Sequence, residues 1–333
     1  MKSTEVHLVR HFTGPVKTEY FTSVETELTE PGDGEVQVAN EWLSVDPYMR
    51  PRMAGMKTYI DPFQPGQPME GGAVGRVVKS NSELLAEGDY VFSMMGWRTG
   101  FTAPAQGLMK VDANLLPAHA YLGIAGLTGM TAYVGLKRII GLKEGETVWM
   151  SAGAGAVGAA GIQFAKAMGA KVIATAGGEQ KTAFCRDIGA DIAIDYKAEA
   201  DLTAAIAAAA EQLGGLDAYF ENVGGEHLVA ALNVLKQFGR IAACGMISRY
   251  NDETLSPGPA NITNIVSKSI TMRGFILIDH FDLQAEFIQD LSSWMIEGKV
   301  QSKETVFEGI DRMPEAFMGL FTGANTGKML VKV

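Results

Sequence analysis

From Gly145 onward the sequence alternates β-rich runs with helical patterns at regular intervals, and the first junction reads Gly153-Ala154-Gly155-Ala156-Val157-Gly158. Residues 147–152 have strand character, and a helix follows to Met168. Residues 171–176 form the next expected strand, with a helix over 179–188. Then come a strand over 191–196, an alanine-rich helix over 201–213 and a strand over 216–222. A helix over 226–237 leads to strands over 240–245 and 269–275. This alternation predicts a mostly parallel sheet covered by helices, because parallel neighbours need a crossover between them. At the glycine junction the backbone can turn sharply and approach a pyrophosphate. Free amides at the start of a helix stabilise that charge, so a dinucleotide is the expected ligand.

The texture before Pro117 is different. Short strands over 36–39, 72–78 and 89–92, separated by Pro and Gly, suggest a small β-barrel or sandwich. A helix over 281–297 leads to a tail, 305–333, that returns to the N-terminal domain. Its end, 328–333, alternates like an edge strand. Two domains suit a chain of 333 residues, and 47% hydrophobic content supplies a large core. The formal net charge of −10, with no cluster of Lys and Arg, argues against nucleic acid and anionic membranes as partners.

Two cysteines, Cys185 and Cys244, cannot build a disulfide framework or a Cys-rich zinc site, and a reduced cytoplasm fits them. The N-terminus carries charges and histidines where a signal peptide needs an apolar run. The uncharged windows 113–136 and 147–165 contain turn glycines, and the first also holds Pro117 and His119. Both therefore read as buried soluble structure rather than membrane spans.

The second strand ends Ala174-Thr175-Ala176-Gly177-Gly178, without the Asp or Glu with which NAD-binding versions hold the ribose hydroxyls. Glu179 falls inside the helix start, where it complements the dipole. Lys181 can reach a 2′-phosphate, so NADP is expected over NAD. The five histidines are scattered without ligand spacing to cysteine, and no Gly-x-Ser-x-Gly elbow is present. Hydride transfer from a nicotinamide needs no metal, and none is expected.

Several segments in order along the chain carry a family resemblance. They are Ser44-Val45-Asp46-Pro47-Tyr48-Met49-Arg50, Met130-Thr131-Ala132-Tyr133, Gly155-Ala156-Val157-Gly158 and Glu221-Asn222-Val223-Gly224-Gly225. Further on stand Cys244-Gly245-Met246-Ile247-Ser248-Arg249-Tyr250-Asn251, Arg273-Gly274-Phe275-Ile276 and Asn325-Thr326-Gly327-Lys328. Together they resemble the zinc-independent medium-chain dehydrogenase/reductase superfamily, specifically the NADPH-dependent alkenal and prostaglandin reductases of the bacterial curcumin-reductase type. The resemblance implies a GroES-like catalytic domain over 1–120, completed by 305–333, and a Rossmann NADP-binding domain over 121–304. It also implies a homodimer. Where zinc-dependent relatives carry a cysteine ligand this chain has Asp46, and where they carry Gly-His-Glu it reads Met69-Glu70-Gly71-Gly72.

By the same resemblance the 2′-phosphate would meet Lys181 with Tyr196 nearby, and the pyrophosphate would meet Gly155, Ala156, Val157 and Gly158, with Thr131 also at the cofactor. Asn222, Cys244, Gly245, Ile247, Ser248, Phe275, Ile276, Leu277 and Asn325 would line the ribose and nicotinamide. Tyr250 matches the family tyrosine beside the reacting carbonyl, and Tyr48 faces the substrate. Arg249 stands where a small polar residue is expected and either meets an anionic substrate group or points to solvent. Trp97, with Met94, Met95 and Phe101, forms either a pocket wall or plain core.

The activity implied is NADPH-dependent reduction of the carbon–carbon double bond of α,β-unsaturated ketones and aldehydes. Its rivals are an NADPH quinone oxidoreductase and an NADP-binding sensor without turnover.

Overall fold

Alternating Val36, Val38 and Leu43 build the long strand Glu35–Ser44, on which the first of two units is organised. The structure is a computed structural model and describes residues 1–254 and 256–333. One unit comprises Met1–Gly123, Tyr250–Glu253 and Glu304–Val333; the other comprises Ile124–Arg249 and Thr254–Lys303.

The first unit starts with an antiparallel pair, β1 (Lys2–Leu8) and β2 (Phe21–Glu27). The long strand is β3, followed by the short helix α1 (Met49–Met53). Then come β4 (Ala73–Ser80), β5 (Tyr90–Ser93), β6 (Gly100–Pro104) and β7 (Met109–Val111).

The second unit opens with α2 (Leu127–Val134), β8 (Thr147–Met150), α3 (Ala156–Ala167), β9 (Lys171–Ala176), α4 (Glu179–Asp187) and β10 (Ile192–Asp195). It continues with α5 (Leu202–Leu213), β11 (Leu216–Glu221), α6 (Glu226–Val234), β12 (Leu235–Ala243), α7 (Asn264–Ser267), β13 (Thr271–Gly274) and α8 (Gln284–Ile296). The chain then re-enters the first unit with β14 (Glu304–Glu308), α9 (Met313–Thr322) and β15 (Lys328–Lys332).

In the first unit a seven-stranded sheet runs β14-β15-β3-β4-β5-β7, with β6 also on β3. Strand β3 thus serves β4, β6 and β15, and its register with β4 shifts twice to do so. Gly75 sits at that irregularity, where a Cβ would come within 2.4 Å of the Ala39 carbonyl oxygen. The tail strand β15 is not an edge. It lies between β14 and β3, and its lysines at both ends disguise a run, Met329 to Val331, that is wholly buried. Trp97 is core: it is 0% exposed and packs against Phe21 and Phe317, which removes it as a pocket wall.

The second unit is a six-stranded parallel sheet in the order β10-β9-β8-β11-β12-β13. Trp149, Ile173, Tyr219 and Ile241 anchor one of its cores. The helix expected over 226–237 ends at Val234, because Leu235 already pairs with Leu216 as β12 begins. Phe238 then adopts φ +63, so the strand starts five residues before Arg240. The helix expected over 281–297 is a 3-10 stretch, Leu277–Leu283, broken at His280, followed by α8. Among the described residues no helix is long and apolar enough to cross a membrane.

A buried ion pair ties β15 to the turn after β3. The Lys328 ammonium, on a side chain 4% exposed, donates to Asp46 Oδ1 at 2.5 Å and to the Val45 carbonyl at 3.1 Å. The Ser44 hydroxyl donates to the other carboxylate oxygen. Removing one partner strands a buried charge. We therefore expect Lys328→Met to lose about 3–5 kcal/mol of stability in urea unfolding, most of it recovered by adding Asp46→Leu. A loss below about 1 kcal/mol in the single variant would mean that the pair is solvated and dispensable.

Candidate active site

In the parallel sheet β9 and β10 lie on one side of β8, and β11 to β13 on the other. The chain reverses direction between β8 and β11, and open α/β sheets bind ligands outside the carboxyl ends of the strands at such a point. Beyond β8, Ala152 takes φ +50, and the Gly155 amide donates back to its carbonyl at 2.8 Å. A Cβ on Gly158 would stand 2.2 Å from that same carbonyl oxygen, so only glycine lets α3 press against the turn. The N-cap of α3 is Gly155, with no capping side chain and no acidic residue in the first turn. Its free amides fit an anionic pyrophosphate.

The end of β9 carries the candidate site for a second anion. Gly178, at φ +96, is the uncapped start of α4. The carboxylate nearby belongs to Asp195 at the end of β10, and it is committed to the amides of Gly178 (2.8 Å) and Lys197 (3.1 Å). Both amides converge on Oδ1, which is thus engaged with backbone. Lys181 is half-buried, and burial followed by the positive charge of Lys197 holds its ammonium below the usual lysine range. Two ammoniums kept near each other suit a phosphate between them. A Cβ on Gly177 would lie 2.8 Å from Lys197 Cε and 3.3 Å from the Tyr196 ring. Tyr196 stands edge-on to the buried His227 at 5.1 Å. Lys197 escaped the sequence reading, although a basic residue directly after Tyr196 was the available signal.

At the tips of β11 and β12 two loops are stitched together. The Asn222 amide donates to Ser151 Oγ and its side chain to the Ser151 carbonyl, each at 2.9 Å, joining the β11 and β8 loops. The Ile247 amide donates to the Asn222 carbonyl, and the Ser248 amide and hydroxyl both donate to the Val223 carbonyl. Cys244 and Gly245 are half-buried there. Burial, then the nearby Glu221 carboxyl, pushes the Cys244 thiol up to about 12. Phe275, just past β13, is edge-on to Phe220 at 6.3 Å, with Ile276 and Leu277 following. Thr131 lies within α2, its hydroxyl donating to the Leu127 carbonyl.

The remaining candidates belong to the other unit. The chain leaves the parallel-sheet unit after Arg249, whose side chain is exposed, and Tyr250–Glu253 packs as part of the first unit. Arg50, 1% exposed, fixes this crossing by donating to Asn251 Oδ1 at 2.9 Å and to the Gly14 carbonyl at 2.7 Å. The Tyr48 hydroxyl is buried without a hydrogen-bond partner, and burial followed by the Asp46 charge raises its pKa, so it stays a proton donor. Asn325 is buried, its amide donating to the Gly327 carbonyl. Among the described residues no group of three or more His, Cys, Asp or Glu could hold a metal ion.

Residues 4–111 match the family described as N-terminal domain of oxidoreductase, and residues 156–296 match the one described as Zinc-binding dehydrogenase. The chain is 41% identical to prostaglandin reductase 1 of Bos taurus over 98% of this chain and 97% of that one. It is also 41% identical to the NADP(+)-dependent 2-alkenal reductase of Nicotiana tabacum, covering 91% and 88% respectively. The crystal structure of CurA from Vibrio vulnificus in complex with NADPH superposes with a TM-score of 0.93 at 35% identity, over 99% of each chain. The chain therefore belongs to the NADP-dependent alkenal and prostaglandin reductase family of the medium-chain dehydrogenase/reductase superfamily, and is an NADP-dependent oxidoreductase.

Proposed function

We propose that the chain reduces the carbon–carbon double bond of α,β-unsaturated aldehydes and ketones, with residues 121–304 holding NADPH and residues 1–120 and 305–333 receiving the substrate. The pyrophosphate lies on Gly155, Ala156, Val157 and Gly158, and the 2′-phosphate between Lys181, Lys197 and Tyr196. Asn222, the 244–248 loop, residues 275–277, Thr131 and Asn325 hold the rest. When bound, NADPH supplies a hydride to the β-carbon. The protein's share is to orient the enone and stabilise the negative charge that grows on its carbonyl oxygen. Tyr250 is the donor to that oxygen. The observation carrying this reading is its position: it directly follows the loop assigned to the nicotinamide, and Arg50 fixes the next residue, Asn251. Tyr48, a buried phenol with no acceptor of its own, is the second hydroxyl at the substrate. Arg249, being exposed, is read as facing solvent.

A homodimer and a cytoplasmic setting are part of the same proposal. Among the described residues β13 pairs with β12 alone and leaves an exposed edge suited to a second copy. Both cysteines are free, as a reducing compartment keeps them.

Tyr250→Phe keeps the ring and removes the donor. NADPH binding should hardly change, while kcat for an enone falls by up to about a hundred- to a thousandfold, the range of other oxyanion donors, or by about tenfold where the ribose hydroxyl shares the role. Quinone turnover should fall less, since its anion is already stabilised, and the ratio of the two losses in kcat/KM cancels general damage. Unchanged turnover of both substrates would reduce Tyr250 to a pocket wall.

For the cofactor, Lys181→Ala and Lys197→Ala should each weaken NADPH by about ten- to a hundredfold and NADH little, as expected for a hydrogen bond to a charged group. The gap should narrow as salt rises. Equal losses for both cofactors would assign the lysines to the scaffold.

Turnover is further expected to be metal-independent, because Lys328 places an ammonium on Asp46 where zinc-dependent relatives hold their metal. Exhaustive chelation should leave activity intact. Zinc that is stoichiometric in the active protein and lost together with activity would falsify this.

A further inference from the structure

Glu221 ends β11 at the reversal point of the parallel sheet, with 0% of its surface exposed. Burying a carboxyl costs several kcal/mol unless donors surround it, so its partners say what it is for. One oxygen, Oε1, accepts from the amides of Val223 and Gly224, each at 2.7 Å, and from the Tyr219 hydroxyl at 2.8 Å. Its backbone carbonyl accepts from the amides of Cys244 (3.0 Å) and Gly245 (3.1 Å). A single residue therefore grips both loops, one with its side chain and the other with its backbone. The turn it grips is unusual: Gly224 and Gly225 take φ +79 and +56.

We infer that Glu221 is the positioning residue for the nicotinamide half of the cofactor, holding the 222–225 and 244–245 loops in register. The inference rests on the proposed assignment of those loops to the cofactor. Glu221 touches neither cofactor nor substrate itself, and it acts through Asn222, Val223 and Gly224. Tyr219, two residues earlier on the same face of β11, donates to the carboxyl, and its ring lies tilted against Trp149 at 4.4 Å. Among the described residues Oε2 is buried without a hydrogen-bond partner, so the bonds of the carboxyl all converge on Oε1.

The test uses two ligands. NADPH spans both ends of the site, whereas 2′,5′-ADP reaches the Lys181, Tyr196 and Lys197 end and, with its 5′-phosphate, the turn at residues 155–158, but carries no nicotinamide half. Glu221→Ala should weaken NADPH by about ten- to a hundredfold and leave 2′,5′-ADP within about twofold. Glu221→Gln should recover most of the affinity, because its amide oxygen can accept the same two backbone bonds. If the alanine variant does not fold, Glu221→Asp carries the test, since the shortened side chain pulls its carboxyl away from the two amides and the same selective loss is expected. Equal weakening of both ligands, or unchanged NADPH affinity, overturns the inference. Asn222→Ala separates the two levels. If it weakens NADPH while the Glu221 variants do not, the loops are cofactor-lining and only Glu221's role is wrong. If neither moves NADPH, the assignment of the loops fails as well.

Discussion

The approach of α3 to the Ala152 carbonyl is the constraint on which the cofactor end of the molecule depends. With no Cβ at Gly158, the helix closes to where any other residue would sit 2.2 Å from that oxygen. Ala152 accepts a left-handed backbone to make the same turn. The result is a helix start that no side chain caps, facing outward from the carboxyl end of β8. Unpaired amides at such a point favour an anion that arrives from outside. The other loops of the parallel sheet are then tied to this turn, Asn222 through Ser151 and residues 247–248 through Asn222 and Val223.

An anionic cofactor binds a protein of net charge −10, so the attraction has to be local. On the proposed reading it lies at the end of β9. The acidic side chain that would favour an unphosphorylated ribose is missing from that strand, and the neighbouring Asp195 is engaged by two backbone amides. Lys181 and Lys197 stay close enough for one to depress the other's pKa. Such a pair repels itself when empty, and a doubly charged phosphate relieves the repulsion. Cofactor preference thus reads as a difference between an electrostatic cost and its release, rather than as one added contact.

How much of this was legible in the sequence depended on the range of the interactions. Strand β9 was read to the residue, because five successive residues of it are buried and its flanks are turn-forming. Strand β12 was started five residues late, because its first half passes through an exposed, left-handed Phe238 that no local pattern announces. The tail strand looked like an edge because of Lys328 and Lys332, yet Lys328 is buried on Asp46, 282 positions away. The same holds for Tyr250–Glu253, which belongs to the first unit and is held there in part by a bond between Arg50 and Asn251, 201 positions apart. Glycine loops, β–α alternation and the missing carboxylate are local and were read directly. Hydrogen bonds made by buried charged groups such as Lys328 and Arg50 are not local, and they lie outside what a local pattern shows.

The proposed chemistry sets one further requirement, which the protein meets with its cysteines. An enal or enone is an electrophile that alkylates thiolates, so an enzyme handling it must keep its own sulfur unreactive. Cys244 lies in the loop that the proposal assigns to the nicotinamide. Burial and the Glu221 carboxyl push its thiol up to about 12, and burial does the same for Cys185 beside Lys181. At neutral pH both are thiols almost entirely, and the thiol is a far poorer nucleophile than the thiolate. Glu221 thereby has two consequences from one placement. Its side chain and backbone hold the loops, and its carboxyl adds to the burial that raises the Cys244 thiol.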